Sequence, residues 1–109
     1  MANVYKVLAQ SNPSATTATT LYTVPSATSS VISTITVCNQ AASAGSFRIA
    51  VRPAGESLAA KHYVAYDVAI AANDTTALTL GLTLATTDVV TIYASSATMS
   101  FNAYGSEIS

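Results

Sequence analysis

Apolar residues alternate with polar or small residues along most of the chain, and this period of two constrains the fold more than any other feature. Such a period places successive side chains on opposite faces of an extended strand. Eight segments carry it: 4–9, 21–24, 30–39, 47–52, 62–70, 78–84, 90–94 and 99–104. The sequence therefore predicts an all-β fold, a single antiparallel β-sandwich of jelly-roll or immunoglobulin-like type with about eight short strands.

Turn-forming residues separate these segments. Asn12-Pro13 and Pro25 follow the first two, and Asn73-Asp74 lies between two later ones, as expected for tight reversals. We expect an N-terminal strand or arm with a linker over residues 1–20 and a β-sandwich domain over 21–109. Segment 4–9 could complete its own sandwich or cross to a neighbouring subunit, and the sequence leaves both possibilities open.

Charge is scarce in this chain, and its scarcity excludes several classes of protein. Only 8% of residues are charged, about a third of the usual share, and the net charge is −1. No basic field is available to bind nucleic acid through its phosphates, and no apolar run approaches the roughly 18 residues that cross a membrane. With a single cysteine and no signal peptide, we expect synthesis and folding in a reducing cytoplasm.

Candidate catalytic residues are few. His62 is the one histidine, so it would have to act as the base, yet Asp67 has the opposite parity on the same predicted strand. Cys38 shares its predicted face with Ile32 and Thr36, where a small thiol packs as an apolar group. We therefore expect no enzyme activity and no cofactor, and we expect His62 to be a partly buried strand residue or a contact between subunits.

A metal site is not expected either. One cysteine and one histidine do not make a zinc site, and the acidic residues lack the spacing of a calcium loop. Asn73, Asp74 and Asp88 are better explained as residues that shape turns through their side-chain oxygens.

The remaining charged residues suggest a docking surface. Arg48 and Arg52 have outward parity on one predicted strand, and Lys61, Tyr63 and Asp67 have it on the next. A solvated sheet face with an ion pair worth about 0–1 kcal/mol is one interpretation. A docking patch is the other, because arginine and tyrosine are enriched at interface hot spots. We favour docking, since nearly half of all the charges lie here.

Several motifs together resemble small virion structural proteins of tailed phages, especially those of cyanobacteria. They are LYTVP at 21–25, ITVCN at 35–39, FRIAVRP at 47–53, KHYVAYD at 61–67, AAND at 71–74, TLGLTL at 79–84, TDVVTIY at 87–93 and NAYGSEI at 102–108. The resemblance implies a non-enzymatic, β-rich component of the virion, in the head or in the tail. It agrees with the low surface charge, which favours a subunit of a larger particle.

Three functional hypotheses follow. The first is a capsid decoration, or cement, protein that forms a homotrimer, binds the major capsid protein and stabilises the head. The second is a tail, neck or fibre-associated structural protein. The third is a carbohydrate-binding module for host attachment, with Tyr63, Tyr93 and Tyr104 as candidate aromatic platforms.

Overall fold

Nine antiparallel β-strands make up the fold in the computed structural model, which describes residues 2–109. The strands are β1 (Asn3–Ser11), β2 (Thr19–Thr23), β3 (Ser29–Asn39), β4 (Gly45–Arg52), β5 (Tyr63–Ile70), β6 (Thr75–Leu78), β7 (Leu82–Leu84), β8 (Val89–Ala94) and β9 (Met99–Ile108). Two 3₁₀ turns, Pro53–Gly55 and Ala60–His62, lie between β4 and β5, and no α-helix occurs among the described residues. The all-β prediction is confirmed.

The strand order is that of a jelly roll. One sheet has the order β1-β9-β3-β6, with β7 also paired to β3, and the other has the order β2-β8-β4-β5. The pairs are nested along the chain: β1 pairs with β9, β2 with β8, β3 with β6 and β7, and β4 with β5. With β6 and β7 taken as one interrupted strand, these are the eight strands of a double-sheet jelly roll.

The leucine-rich segment 78–84, predicted as one strand, is divided into β6 and β7. Gly81 between them has a φ of +63°, which glycine adopts without the steric cost of a side chain. The neighbouring Leu80 points into solvent rather than into the core. Alternation alone did not reveal the break, because Gly81 fits a period of two as well as it fits a turn.

The core lies between the two sheets and consists of aliphatic residues around two phenylalanines. Phe47 of β4 and Phe101 of β9 pack edge to face, with ring centroids 6.1 Å apart and planes at 81°. Since β4 and β9 belong to different sheets, this aromatic pair joins the two layers. The other large apolar side chains that are fully buried are Val24, Ile32, Ile35, Val37, Ile49, Ile70, Val90, Ile92 and Met99.

A β-bulge in β3 changes which residues face the core. The register against β9 shifts between Ile32 and Thr34, so Ile32 is buried while Val31 is only half-buried. Uninterrupted alternation over residues 30–39 would place Val31 on the same face as Ile35, but the extra residue of the bulge reverses the parity of the strand. Cys38 is half-buried, not enclosed beside Ile32.

Strand β1 forms an edge of the five-stranded sheet and pairs with β9 of the same chain. Its N-terminal half exposes large apolar side chains: Tyr5 is 79% exposed, and Val4 and Val7 are each 48% exposed. An exposed apolar edge strand is a surface on which further chains can pair or pack.

Candidate docking surface

A second bulge, in β5, brings a group of polar and aromatic side chains together on the molecular surface. The register between β4 and β5 shifts between Phe47 and Ile49, and Asp67 has a φ of 50°. Two residues of the bulged strand thus oppose one residue of β4. As a result, Tyr66 and Asp67 both lie beside Arg48, although they are consecutive in sequence.

The Arg48 guanidinium is held by three neighbours. Its Nε donates a hydrogen bond to Asp67 Oδ1 at 2.6 Å, and its Nη2 donates to Asp67 Oδ2 at 3.3 Å. Its Cζ lies 4.2 Å from the centroid of the Tyr66 ring and 4.3 Å from that of Tyr93, which is opposite Arg48 on β8. The hydrogen bond to Asp67 raises the pKa of Arg48 above its usual value.

We call Arg48, Tyr66, Asp67 and Tyr93 the Arg48 cluster. A two-pronged arginine–carboxylate pair fixes the plane of the guanidinium, and a cation close to an aromatic face is attracted to the ring. Tyr63 extends the cluster, since its ring packs edge to face on Tyr66 at a centroid distance of 4.9 Å. The cluster therefore presents rigid side chains, which lose little conformational entropy when a partner binds.

Residues 53–62, which we call the strap, cover the outer face of the same sheet next to the cluster. The 3₁₀ turn at Ala60–His62 packs against β4. Arg52 fastens the strap, because its Nε donates to Thr91 Oγ1 at 3.0 Å and its Nη1 donates to the carbonyl oxygen of Glu56 at 3.0 Å. Ala50 and Thr91 are buried there, although their positions in the strands would otherwise face solvent.

His62 is the buried anchor of the strap, with only 5% of its surface exposed. Its Nδ1 accepts a hydrogen bond from the Ala59 amide at 3.0 Å, and its Nε2 lies 3.2 Å from Glu56 Oε1. The hydrogen bond from His62 and the charge of Lys61 lower the pKa of Glu56. We expected His62 within a strand, but β5 begins at Tyr63 and His62 closes the 3₁₀ turn before it.

A shallow groove of about 630 Å³ runs between the strap and the tyrosines. It is lined by Leu58, Ala59, Ala60, Tyr63 and Tyr66. Tyr66 remains 58% exposed at its edge. The groove and the Arg48 cluster together form one surface with an apolar floor and charged groups beside it, which we call the docking face.

Of the five predicted interface residues, Arg48, Tyr63 and Asp67 belong to the docking face, whereas Arg52 and Lys61 lie at the strap and outside that face. Arg48 and Asp67 form an ion pair, Arg52 fastens the strap, and Tyr63 lines the groove. Lys61 is 75% exposed on its side chain, with its Nζ 3.7 Å from Glu56 Oε1.

Sequence reasoning missed other parts of the docking face. Uninterrupted alternation over residues 62–70 would place Tyr66 on the same face as Val68 and Ile70, but the bulge at Asp67 intervenes. Glu56 was not linked to His62, since the two residues meet only through the turns of the strap. Aspartate in the middle of an alternating strand was the one available signal, because it adopts positive φ more readily than most residues.

The other predicted groups lie apart. Tyr104, one of the three candidate sugar platforms, is on β9 in the opposite sheet, whereas Tyr63 and Tyr93 belong to the docking face. Cys38 on β3 and His62 are likewise associated with different sheets. Within residues 2–109, no three His, Cys, Asp or Glu side chains are grouped so as to hold a metal ion. No helix in that range is long and apolar enough to span a bilayer.

Comparisons with protein-family models, with curated proteins and with solved structures give no match for this chain. The architecture and the docking face therefore stand on the geometry described above.

Proposed function

We propose that this chain is a non-enzymatic structural protein of a phage virion, a decoration protein that binds the outside of the capsid through its docking face. The observation that carries the proposal is the Arg48 guanidinium, fixed between Tyr66 and Tyr93 beside an apolar groove. Arginine and tyrosine are among the residue types enriched at the positions that dominate binding energy. Here they are ordered before any partner arrives.

A decoration protein that bridges neighbouring subunits needs more than one contact surface. The docking face lies on the sheet that contains β4 and β5, whereas the exposed apolar residues of β1 lie at an edge of the other sheet. These two surfaces support a bridging role, since each could contact a different neighbour. Binding to the assembled shell alone would stabilise that shell by linkage.

The fold and the composition give further support. Jelly rolls are frequent in viral capsid proteins and in lectins, although a fold by itself does not assign a function. A surface with few charges suits a subunit that is covered by neighbours, because little charge is desolvated on assembly. The sequence motifs that resemble virion proteins of tailed phages agree with this role.

Cryo-electron microscopy of the virion, combined with an add-back assay, tests the proposal. We expect density on the outside of the head, and we expect the purified chain to rebind heads that lack it. Arg48→Ala should weaken rebinding at least about tenfold, whereas Lys61→Ala, a matched loss of a neighbouring exposed cation, should leave it nearly unchanged. Density confined to the tail would favour the tail hypothesis and exclude the capsid role.

Carbohydrate binding is the second candidate, and the exposed ring of Tyr66 beside the groove favours it. Aromatic rings offer flat apolar surfaces on which sugar rings can pack. A glycan array with wild-type protein and Tyr66→Ala tests this candidate. Binding that the substitution abolishes would support it, and a blank array would exclude it.

A further inference from the structure

We propose that β1 is a self-association surface, on which β1 of a second copy of the chain pairs in antiparallel orientation about a two-fold axis. The pairing runs over residues 3–7, with Tyr5 opposite Tyr5 of the second copy. It joins the five-stranded sheets of the two copies into one continuous sheet. This association is a property of the isolated chain and does not rest on the capsid role proposed above.

Backbone groups of β1 point away from its partner strand at three positions. Ala2 and Ser109 exchange two backbone hydrogen bonds, at 2.8 Å and 2.9 Å. In an antiparallel ladder, such a pair alternates with a pair whose N–H and C=O groups point outward. The register of β1 against β9 therefore turns the backbone groups of Asn3, Tyr5 and Val7 away from β9. Because β1 is the last strand of its sheet, these groups have no strand beside them within residues 2–109.

The other sheet edges carry features that hinder the addition of a strand. The edge opposite β1 is divided between β6 and β7, of four and three residues, by the turn at Gly81. In the second sheet, β2 has five residues and a register shift between Thr20 and Tyr22, and β5 contains the bulge at Asp67. Short edge strands and bulges protect a sheet against edge-to-edge pairing. Residues 3–7 of β1 pair with β9 without a register shift, so β1 is the edge most open to a further strand.

Apolar side chains lie on both faces of this edge. Tyr5 and Val7 are exposed on one face, where Tyr104 of β9, also exposed, lies directly opposite Val7. Val4 is exposed on the other face. Pairing with a second strand covers part of this apolar surface, and its removal from water favours association.

The pattern of outward backbone groups is complementary to itself, which identifies the occupant as a second copy. With Tyr5 opposite Tyr5, Asn3 of each copy lies opposite Val7 of the other. The outward N–H and C=O groups then all find partners, in three pairs that exchange two hydrogen bonds each. A register shifted by two residues makes one such pair fewer. The two-fold register therefore satisfies the most backbone groups.

The charges at this edge are also complementary between two copies. Lys6 is the one charged residue of β1, and its Nζ lies 2.8 Å from Glu107 Oε1 of the same chain. In the proposed register, Lys6 lies opposite Val4 of the second copy, and Val4 is paired with Glu107. Directly opposite residues share a face of the sheet. Lys6 of one copy and Glu107 of the other thus lie in one row on one face, roughly 10 Å apart at the backbone, and opposite charges meet across the interface.

The interface is small by the standard of stable dimers. A pairing of five residues on each side falls short of the roughly 800 Å² per subunit that stable interfaces bury. We therefore expect a dimer that dissociates on dilution. The docking face lies on the other sheet, so dimerisation through β1 leaves it free for a partner.

Sedimentation equilibrium of the isolated chain tests whether it self-associates. The mean mass should rise with concentration from 11.1 kDa towards twice that value. Amide hydrogen exchange locates the interface, because protection of Asn3, Tyr5 and Val7 should rise about tenfold or more between dilute and concentrated samples. Protection of Val4 and Lys6, whose amides already bond to β9, should change much less.

Two cysteine variants test the register, in a Cys38→Ser background that removes the native thiol. Opposite residues of a hydrogen-bonded pair have Cα atoms about 5.5 Å apart, which is within the range that a disulfide spans. Tyr5→Cys should therefore form a disulfide-linked dimer on mild oxidation. Val7→Cys is the matched control, because the two Val7 positions lie roughly 14 Å apart along the strands. It should remain a monomer on a non-reducing gel.

Two further variants test the backbone hydrogen bonds separately from the tyrosine ring. In Tyr5→Pro, an outward N–H is removed at a position where edge strands tolerate proline, so β1 should still pair with β9 while dimerisation is lost. Tyr5→Thr keeps the N–H and a high β-propensity, and it should dimerise more weakly than wild type but more strongly than Tyr5→Pro. If Tyr5→Pro detaches β1, the crosslinking result still decides the question.

Three results would overturn the proposal: a mass that stays at 11.1 kDa up to millimolar concentration, a trimer, or equal crosslinking of Tyr5→Cys and Val7→Cys. These measurements involve no capsid, so a failure of the self-association is distinguishable from a failure of the proposed function.

Discussion

The hydroxyl of Tyr22 on β2 donates a hydrogen bond to Glu107 on β9, with 2.5 Å between the hydroxyl oxygen and Oε2, and this contact joins the two sheets of the sandwich. The same hydroxyl lies 2.7 Å from Ser30 Oγ. Lys6 Nζ lies 2.8 Å from the other carboxylate oxygen of Glu107. Four strands, β1, β2, β3 and β9, thus meet in one polar network at the end of an otherwise apolar core.

We expect Tyr22→Phe to lower the free energy of unfolding by about 1–2 kcal/mol at pH 7. The substitution removes the hydroxyl that Glu107 and Ser30 contact and leaves both without this partner. Burial and the hydrogen bond to Glu107 raise the pKa of Tyr22 to about 12. Its stabilising effect is therefore fully present below pH 10 and is lost as the pH rises to 12. Urea denaturation of wild type and of Tyr22→Phe between pH 7 and pH 12 measures this loss. The free energies of unfolding of the two proteins should converge at the alkaline end of the range. Tyr104→Phe, on an exposed tyrosine, is the control and should show no such convergence.

Glu107 makes stability depend on pH in the opposite direction, so that stability is lost as the pH falls into the acid range. Hydrogen bonds from Lys6 and then from Tyr22 lower the pKa of Glu107. A lowered pKa contributes stability that is present above the pKa of the unfolded chain and is lost as the pH falls through that of the folded chain. We expect wild type to lose stability below about pH 4, and Glu107→Gln to lose less over that range. If the free energies of unfolding of wild type and Glu107→Gln fell in parallel below pH 4, this role of Glu107 would be contradicted.

Gly105 should tolerate no side chain. A Cβ there would lie 1.9 Å from the carbonyl oxygen of Val31, beside the bulge of β3. Because the obstacle is backbone, it cannot rotate away, and we expect Gly105→Ala to destabilise the fold by about 3 kcal/mol. Gly81→Ala is the matched control: the space around it is open, but its positive φ costs about 1 kcal/mol. Urea denaturation of both variants measures the two losses in free energy of unfolding. Equal losses for Gly105→Ala and Gly81→Ala would contradict the prediction.

Arg48→Lys should preserve the fold but weaken docking. Lysine keeps the positive charge, yet it lacks the guanidinium that makes the two-pronged bond to Asp67 and lies close to the rings of Tyr66 and Tyr93. If the docking face binds the capsid as proposed, we expect the affinity to fall about tenfold, with little change in thermal unfolding. Lys61→Arg is the reciprocal control and should leave affinity unchanged. An Arg48→Lys variant that binds as tightly as wild type would show that charge alone matters.

The outward side of β4 was predictable because it depends on alternation alone. Arg48 lies between Phe47 and Ile49, both buried, and no bulge interrupts the pairing of β4 with β8. The neighbouring strand was less predictable. Its bulge at Asp67 adds one residue, and a shift of one residue exchanges the faces of a strand. Tyr66 therefore lies beside Arg48 on the outer face, and not on the face of Val68 and Ile70 where alternation places it.

The sequence by itself determined the β-rich character of this chain, because a period of two in apolar residues is satisfied only by strands with one buried face. It also placed Arg48 and Asp67 outward. The tertiary structure decided the nesting of the strand pairs, the bulges and the contact between His62 and Glu56. These depend on how distant strands align and how turns close, and such alignment is set by packing between segments that are far apart in the chain.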